Sequence, residues 1–320
     1  MEYGAAYGEE AVRKVVAMAG VQRRHVVDEG TTAADLCFEA ARALIDRLGW
    51  EPSSISGLIL VTQTADYFMP SSSCMVHKWL GLSSDCAAFD VGLGCSGYPY
   101  GMYLAATMLK AGGHQRILML HGETPSLFQS PDDHATTLLF GDMGSATAME
   151  LAPDAPGGQF GLHSDGTGYG ALIVRGGGFR DRRPINPRDH FLHMDGAGVF
   201  NFTILRVPPL VQDTLKFAGL AVADVDIYAF HQSNRFMMKH LMKKCGMRED
   251  QVPIVIDRFG NAGGGSVALA LTQGAGPASV ARRAMLLGYG VGLSWSAAIV
   301  QLEAYVPLLH DTYSGTVERK

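Results

Sequence analysis

Charge is scarce in this chain, and so are the residues that staple a fold covalently. Only 18% of the 320 residues are charged, and the formal net charge is −5, which excludes a broad basic surface for nucleic acid. Cysteines are few and scattered, at Cys37, Cys74, Cys86, Cys95 and Cys245, with no C-x-x-C pair. That pattern argues against a structural zinc site and against a disulfide framework. His190 and His193 have a spacing that suits a metal, but no third ligand accompanies them, so no metal is expected. No apolar run reaches the roughly 18–20 residues of a membrane span. The opening Met1-Glu2-Tyr3-Gly4 does not read as a secretory signal. The expectation is a soluble cytoplasmic protein with no nucleic-acid partner, no membrane partner and no cofactor.

What is abundant is apolar residue and glycine. A hydrophobic fraction of 47% is ample for a large core, and the 39 glycines cluster at predicted turns. Periodicity predicts helices over 2–13, 33–48, 71–80, 98–111, 198–218, 235–244 and 266–273. Strands are predicted over 57–62, 86–91, 116–120, 146–151, 225–230, 252–256, 284–287 and 294–302. The stretch Ala152 to Gly158, rich in Pro, Gly and Asp, is the best linker. Alternating strands and helices imply an α/β fold with mostly parallel sheets covered by helices.

Three polar residues stand where such folds place chemistry. Cys95 lies in Val91-Gly92-Leu93-Gly94-Cys95-Ser96-Gly97, between a strand and a nearly uncharged helix. The turn is expected to expose the sulfur, and the helix N-terminus to favour thiolate. His231 follows one predicted strand, in Phe230-His231-Gln232-Ser233-Asn234, and Asn261 follows another, in Gly260-Asn261-Ala262-Gly263. Together they form an acyl-transfer set: a sulfur nucleophile, an imidazole and a carboxamide. Each has a plainer account, as an inert buried thiol, a core histidine and a turn asparagine. Gly264-Gly265-Ser266 only mimics a nucleophile elbow. His121 and Glu123, at a strand end, approach the site from its far side, where a hydrogen-bonded strand end is the simpler account. A papain-like peptidase also orders Cys, His and Asn this way, but its C-G-[SA]-C-[WY] signature is absent.

The three segments together resemble the thiolase superfamily and, within it, the β-ketoacyl-[acyl carrier protein] synthase III family. Further matches are Phe140-Gly141-Asp142, His193-Met194-Asp195-Gly196 followed by Val199-Phe200, Gly288 to Trp295, and Val21-Gln22-Arg23-Arg24-His25. The resemblance runs from about Gly20 to Val300. It implies a thiolase-like fold of two similar αβαβα halves in five layers, with 1–152 carrying Cys95 and 159–320 carrying His231 and Asn261. Family members open with a strand about twenty residues before the Val21–His25 stretch; here that strand is expected to be absent, either because the start is placed late or because another element fills its position. Cys95 would be acylated by a thioester and condensed with a malonyl-type thioester by decarboxylation. The alternatives are acyl transfer to an alcohol or amine, or a catalytically silent partner subunit.

By the same resemblance, backbone N–H groups of Cys95 and Val291 form an oxyanion hole, and Met69, Phe200, Ser233 and Tyr289 line the substrate pocket. A homodimer is implied through the strand Cys86 to Val91, with Met69 capping the partner's acyl pocket. Lys14, Met18, His134, Phe236 and Ala197 replace the residues that grip coenzyme A in the family. Arg235, Lys239, Lys243 and Lys244 fall on one predicted helix, which suits docking of an acidic acyl carrier protein. Acyl-CoA or acyl carrier protein thioesters are thus expected as substrates rather than as cofactors.

Overall fold

The structure, a computed structural model, describes residues 7–275 and 280–303. Helix α1 (Glu9–Ala19) opens with Glu9 and Glu10 at the positive end of its dipole. It stops at Gly20, whose φ of 83° is left-handed. Of the helix predicted over 2–13, residues 9–13 are helical and the helix runs on to Ala19, while residues 1–6 lie outside the described residues. Helix α2 (Ala33–Leu48) occupies its predicted span. Thr32 and Asp35 close a capping box at its start, the Thr32 N–H donating to Asp35 Oδ2 at 2.9 Å.

There follow β1 (Gly57–Val61), α3 (Ser72–Trp79), β2 (Ala87–Val91), α4 (Gly97–Ala111), β3 (Arg116–Glu123), the short α5 (His134–Thr137) and β4 (Met143–Glu150). No strand precedes β1 among the described residues. These strands form a sheet in the order β2-β1-β3-β4, parallel except for β4 against β3. Next come β5 (Gln159–Ser164), the ribbon of β6 (Leu172–Ile173) and β7 (His193–Met194), and α6 (Gly196–Ala218). Then follow β8 (Ile227–Phe230), α7 (Arg235–Cys245), α8 (Ile256–Phe259), α9 (Ser266–Leu269), β9 (Arg282–Gly290) and β10 (Ser294–Leu302). The second sheet has the order β5-β10-β9-β8, and only β8 and β9 are parallel. The expectation of mostly parallel sheets thus holds for the first sheet and fails for the second. There, β9 and β10 form a hairpin, and β5, for which no strand is predicted, closes the edge.

Alternation along each strand sorts the core into layers. Leu58, Leu60, Leu118 and Leu120 face α2 and α3 on one side of the first sheet. Ile59, Val61, Ile117 and Met119 face the other way. They meet α4, the α9 segment and the inner residues Ala229, Leu286 and Ala298 of the second sheet. Tyr228, Phe230, Met285 and Leu287 point outward onto α6 and α7. The order is helices, sheet, helices, sheet, helices, which is the five-layered arrangement expected.

One predicted strand is absent. Residues 252–255 are irregular, and Ile256 begins a short helix instead. The buried Gln232 side chain substitutes for the missing ladder. Its Nε2 donates to Pro253 O at 3.2 Å and to Phe230 O at 3.0 Å, and its Oε1 accepts from Val255 N at 2.9 Å. Pro253 has no N–H to offer a sheet, so the segment cannot pair as a central strand. Gln232→Ala leaves the buried Val255 N–H unpaired and is expected to cost about 2–3 kcal/mol. Urea denaturation checks this, and a loss below about 0.5 kcal/mol contradicts it.

Candidate active site

Cys95 sits in the turn between β2 and α4, closed by Gly97 N–H donating to Gly94 O at 2.7 Å. The sulfur is not exposed as expected: the residue is only 8% accessible. The β9 backbone covers it so closely that a Cβ on Gly290 would stand 3.0 Å from Sγ, and one on Gly288 2.7 Å from Cys95 O. A serine ladder holds this contact. Ser96 Oγ donates to Ser294 Oγ at 2.6 Å, Ser294 Oγ donates to Val291 O at 2.7 Å, and Ser296 Oγ donates to Ser96 O at 2.7 Å. The expected preference for thiolate is also reversed. Burial pushes the Cys95 thiol up to about 11, beyond what hydrogen bonds from the N–H groups of Val291 and of Cys95 itself restore, and negative charge on Glu123 adds to the rise. Those two N–H groups are the pair expected for the oxyanion hole, and both act on the thiol to lower it against its burial.

His231 extends the β8–β9 ladder, its N–H donating to Leu287 O at 2.7 Å. Its Nδ1 lies 2.8 Å from Gly263 O and 3.0 Å from Ser266 Oγ. A carbonyl only accepts, so Nδ1 carries the proton and Nε2 keeps its lone pair. Burial holds the ring neutral, bringing its pKa down to about 4 against the Gly263 hydrogen bond. Ser266, which the sequence offers only as a false elbow, therefore orients the imidazole. Tyr289 packs edge-on to His231 with ring centroids 5.6 Å apart, and its hydroxyl donates to His231 O at 3.3 Å.

Asn261 is set by the Phe140-Gly141-Asp142 turn. Asn261 N–H donates to Leu139 O at 2.8 Å, and Gly141 N–H donates back to Asn261 O at 3.0 Å. Asp142 anchors that turn by accepting from Val27 N at 2.9 Å, from Ser126 N at 3.0 Å and from the Ser126 hydroxyl. The carboxamide is oriented by Gly263 N–H donating to Oδ1 at 3.2 Å, while Nδ2 donates to Ser233 O at 3.3 Å. One Nδ2 hydrogen is left for a ligand. The Asn261 and Cys95 turns touch, since a Cβ on Gly264 would lie 2.4 Å from Gly94 O.

The other expected residues divide. Ser233 and Tyr289 are buried and bonded to each other at 3.1 Å, so their hydroxyls brace His231. Phe200 is half-buried and stacks on Phe236 at 6.0 Å. Met69 is 79% exposed in this single chain. Lys239, Lys243 and Lys244 are exposed on α7, and Lys244 Nζ donates to Ile204 O at 3.2 Å. Arg235 is half-buried against the Gly20 backbone. His121 and Glu123 do reach the site from behind. Glu123 is hydrogen-bonded, but neither His121 ring nitrogen has a hydrogen-bond partner. Their alternation on β3 is the signal that places both on the inner face.

Comparison with known proteins agrees with this fold. The family model described as 3-oxoacyl-[acyl-carrier-protein (ACP)] synthase III matches residues 89–166, and its C-terminal counterpart matches residues 215–302. A solved 3-oxoacyl-(acyl-carrier protein) synthase from Burkholderia xenovorans LB400 is 38% identical, covers 94% of this chain and 88% of its own, and superposes with a TM-score of 0.90. The synthase III from Pseudomonas aeruginosa PAO1 is 25% identical over 95% and 93% of the two chains, with a TM-score of 0.84. A priming β-ketosynthase of the R1128 polyketide pathway is 27% identical over 91% and 88%, with a TM-score of 0.83. Fold, motif order and these likenesses lead to one conclusion: this chain belongs to the 3-oxoacyl-[acyl-carrier-protein] synthase III family of condensing enzymes.

Proposed function

We propose that Cys95 is the acylated nucleophile of a decarboxylative condensation serving fatty acid or polyketide synthesis. The observation that carries this reading is the meeting of the Cys95 turn with the Asn261 turn and the β9 backbone, beside a His231 ring oriented by Gly263 O. A thiol held at about 11 needs a base, and His231 Nε2, unprotonated at rest, is the candidate. As the thiolate attacks a thioester carbonyl, the N–H groups of Cys95 and Val291 receive the developing oxyanion, a role typically worth about 3–4 kcal/mol per donor. The departing thiol regains the proton from the imidazolium. A malonyl-type thioester then loses carbon dioxide, the remaining Asn261 Nδ2 hydrogen holds the enolate oxygen, and His231 joins it only when Nε2 is protonated. The enolate carbon attacks the acyl group, and the Cys95 thiolate leaves.

Cys95→Ala is expected to abolish acyl-enzyme formation in intact-mass measurements. Asn261→Ala is expected to keep acylation and to slow decarboxylation at least about 100-fold. Acylation of Cys74 or Cys245 instead of Cys95 contradicts the assignment. Acyl transfer without carbon dioxide release identifies a simple acyltransferase, and no acylation at all identifies a silent subunit.

The donor is proposed to be a carrier-bound thioester. Lys14 pairs with Glu10 at 2.9 Å at the surface, Met18 and Phe236 are 64% and 58% exposed, and none of the three carries a guanidinium to clamp a nucleotide. The exposed Lys239 and Lys243 suit an acidic carrier protein. Reversing both to Glu should slow acylation from the carrier thioester and leave the matching acyl-CoA unaffected; an equal effect on both donors refutes the docking role.

A homodimer through β2 completes the reading. β2 is an edge strand, and Tyr67, Phe68, Met69 and Phe179 are all more than half exposed nearby in sequence or in ring contact with that group. Light scattering at micromolar concentration should report a dimer, and a clean monomer refutes it. A cytoplasmic location fits five free cysteines.

A further inference from the structure

His121 is fully buried, and neither ring nitrogen has a hydrogen-bond partner. A buried imidazole left this way is costly unless something uses it. Its ring is wedged between the two turns that form the site. A Cβ on Gly97 would stand 3.1 Å from His121 Cε1, and one on Gly264 2.4 Å from the same atom. The ring stacks on Tyr98 at 6.2 Å, and Nε2 stands 4.0 Å from Glu123 Oε1. Glu123 accepts from Gln63 N–H at 3.1 Å and from the Thr64 hydroxyl at 3.4 Å. Its stem lies under Gly263, where a Cβ would come 2.8 Å from Cγ, and Gly263 O orients His231. One carboxyl thus underlies the imidazole support and is felt by the nucleophile.

We propose that Glu123, set beside His121 behind Cys95 and His231, is a positioning carboxyl that carries a proton at rest, and that loss of this proton opposes ionisation of Cys95. With the proton present, Glu123 is a neutral acid 4.0 Å from His121 Nε2, and the sulfur meets no second negative charge. Once Glu123 ionises, a buried carboxylate faces a forming thiolate across low dielectric. Burial raises Glu123 to about 8 and lowers His121 to about 3, with His231 adding to the latter. The ionisable groups facing the pair are Cys95 and Tyr98, His231, and Cys37 on α2, which also feels Asp66. Because these groups interact, the protons belong to the cluster rather than to one residue. The proposal deepens the reading of Cys95 as nucleophile and rests on it.

The test needs no acyl chemistry, so its failure is separable from failure of that reading. Iodoacetamide alkylation of Cys95, located by peptide mass spectrometry, is followed from about pH 6 to about pH 10, since the thiolate is the reactive form. The unsubstituted protein and Glu123→Gln should react at equal rates near pH 6.5, where Glu123 is already neutral. Near pH 9 Glu123→Gln should be about three- to tenfold faster, one pKa unit corresponding to about tenfold. Glu123→Asp keeps the charge and should follow the unsubstituted profile. His121→Gln should slow alkylation near pH 7, because its amide N–H stabilises the Glu123 carboxylate. The proposal is overturned if Glu123→Gln tracks the unsubstituted protein throughout. A uniform factor at every pH, the mark of a loosened structure, overturns it equally, as does faster alkylation in His121→Gln. If Glu123→Gln does not fold, the His121→Gln profile decides alone.

Discussion

A Cβ on Gly264 would stand 2.4 Å from the carbonyl oxygen of Gly94, and one on Gly290 3.0 Å from the Cys95 sulfur. At the first place main chain passes against main chain, and at the second against the side chain of Cys95, at separations that leave no room for a Cβ. These contacts join the Cys95 turn, which follows the first sheet, to the Asn261 turn and the β9–β10 hairpin of the second part of the chain. The central helices α4 and α9 start from them, so the layering and the site have a common origin. A side chain at either glycine would separate the nucleophile from its hydrogen-bond donors.

Close approach also explains the electrostatics. The sequence placed Cys95 at a helix start, where the dipole and unpaired N–H groups favour thiolate. Packing of β9 over the turn removes water, and burial outweighs both effects. The same dryness keeps His231 neutral, which leaves Nε2 available as a base. A site with a protonated thiol and a neutral imidazole carries no charge at rest. In the proposed reaction charge arises only as a thioester carbonyl arrives, where backbone N–H groups in a dry pocket act most strongly.

Much of this was legible before the structure. Helix 33–48 and strand 294–302 occupy their predicted spans because periodicity, capping residues and flanking glycines all agree there. Cys95, His231 and Asn261 were readable because each follows a strand in a glycine-rich turn. The failures have physical causes. Residues 252–256 look like a strand because they are apolar, yet their partner is one glutamine side chain, which no periodicity encodes. β5 was missed beside the Pro- and Gly-rich stretch before it. Burial of the Cys95 sulfur depends on Gly288 and Gly290, nearly two hundred residues away, and the serine ladder that fixes Val291 is equally non-local.

The central claim is that acyl chemistry occurs at Cys95, with the carbonyl oxygen held by the N–H groups of Cys95 and Val291. A crystal structure of the protein trapped with an acyl thioester tests it most directly. The account predicts a thioester bond at Cys95 Sγ, with its carbonyl oxygen within about 3.2 Å of both nitrogens. An acyl group on another side chain, or a carbonyl oxygen turned away from both N–H groups, would contradict it.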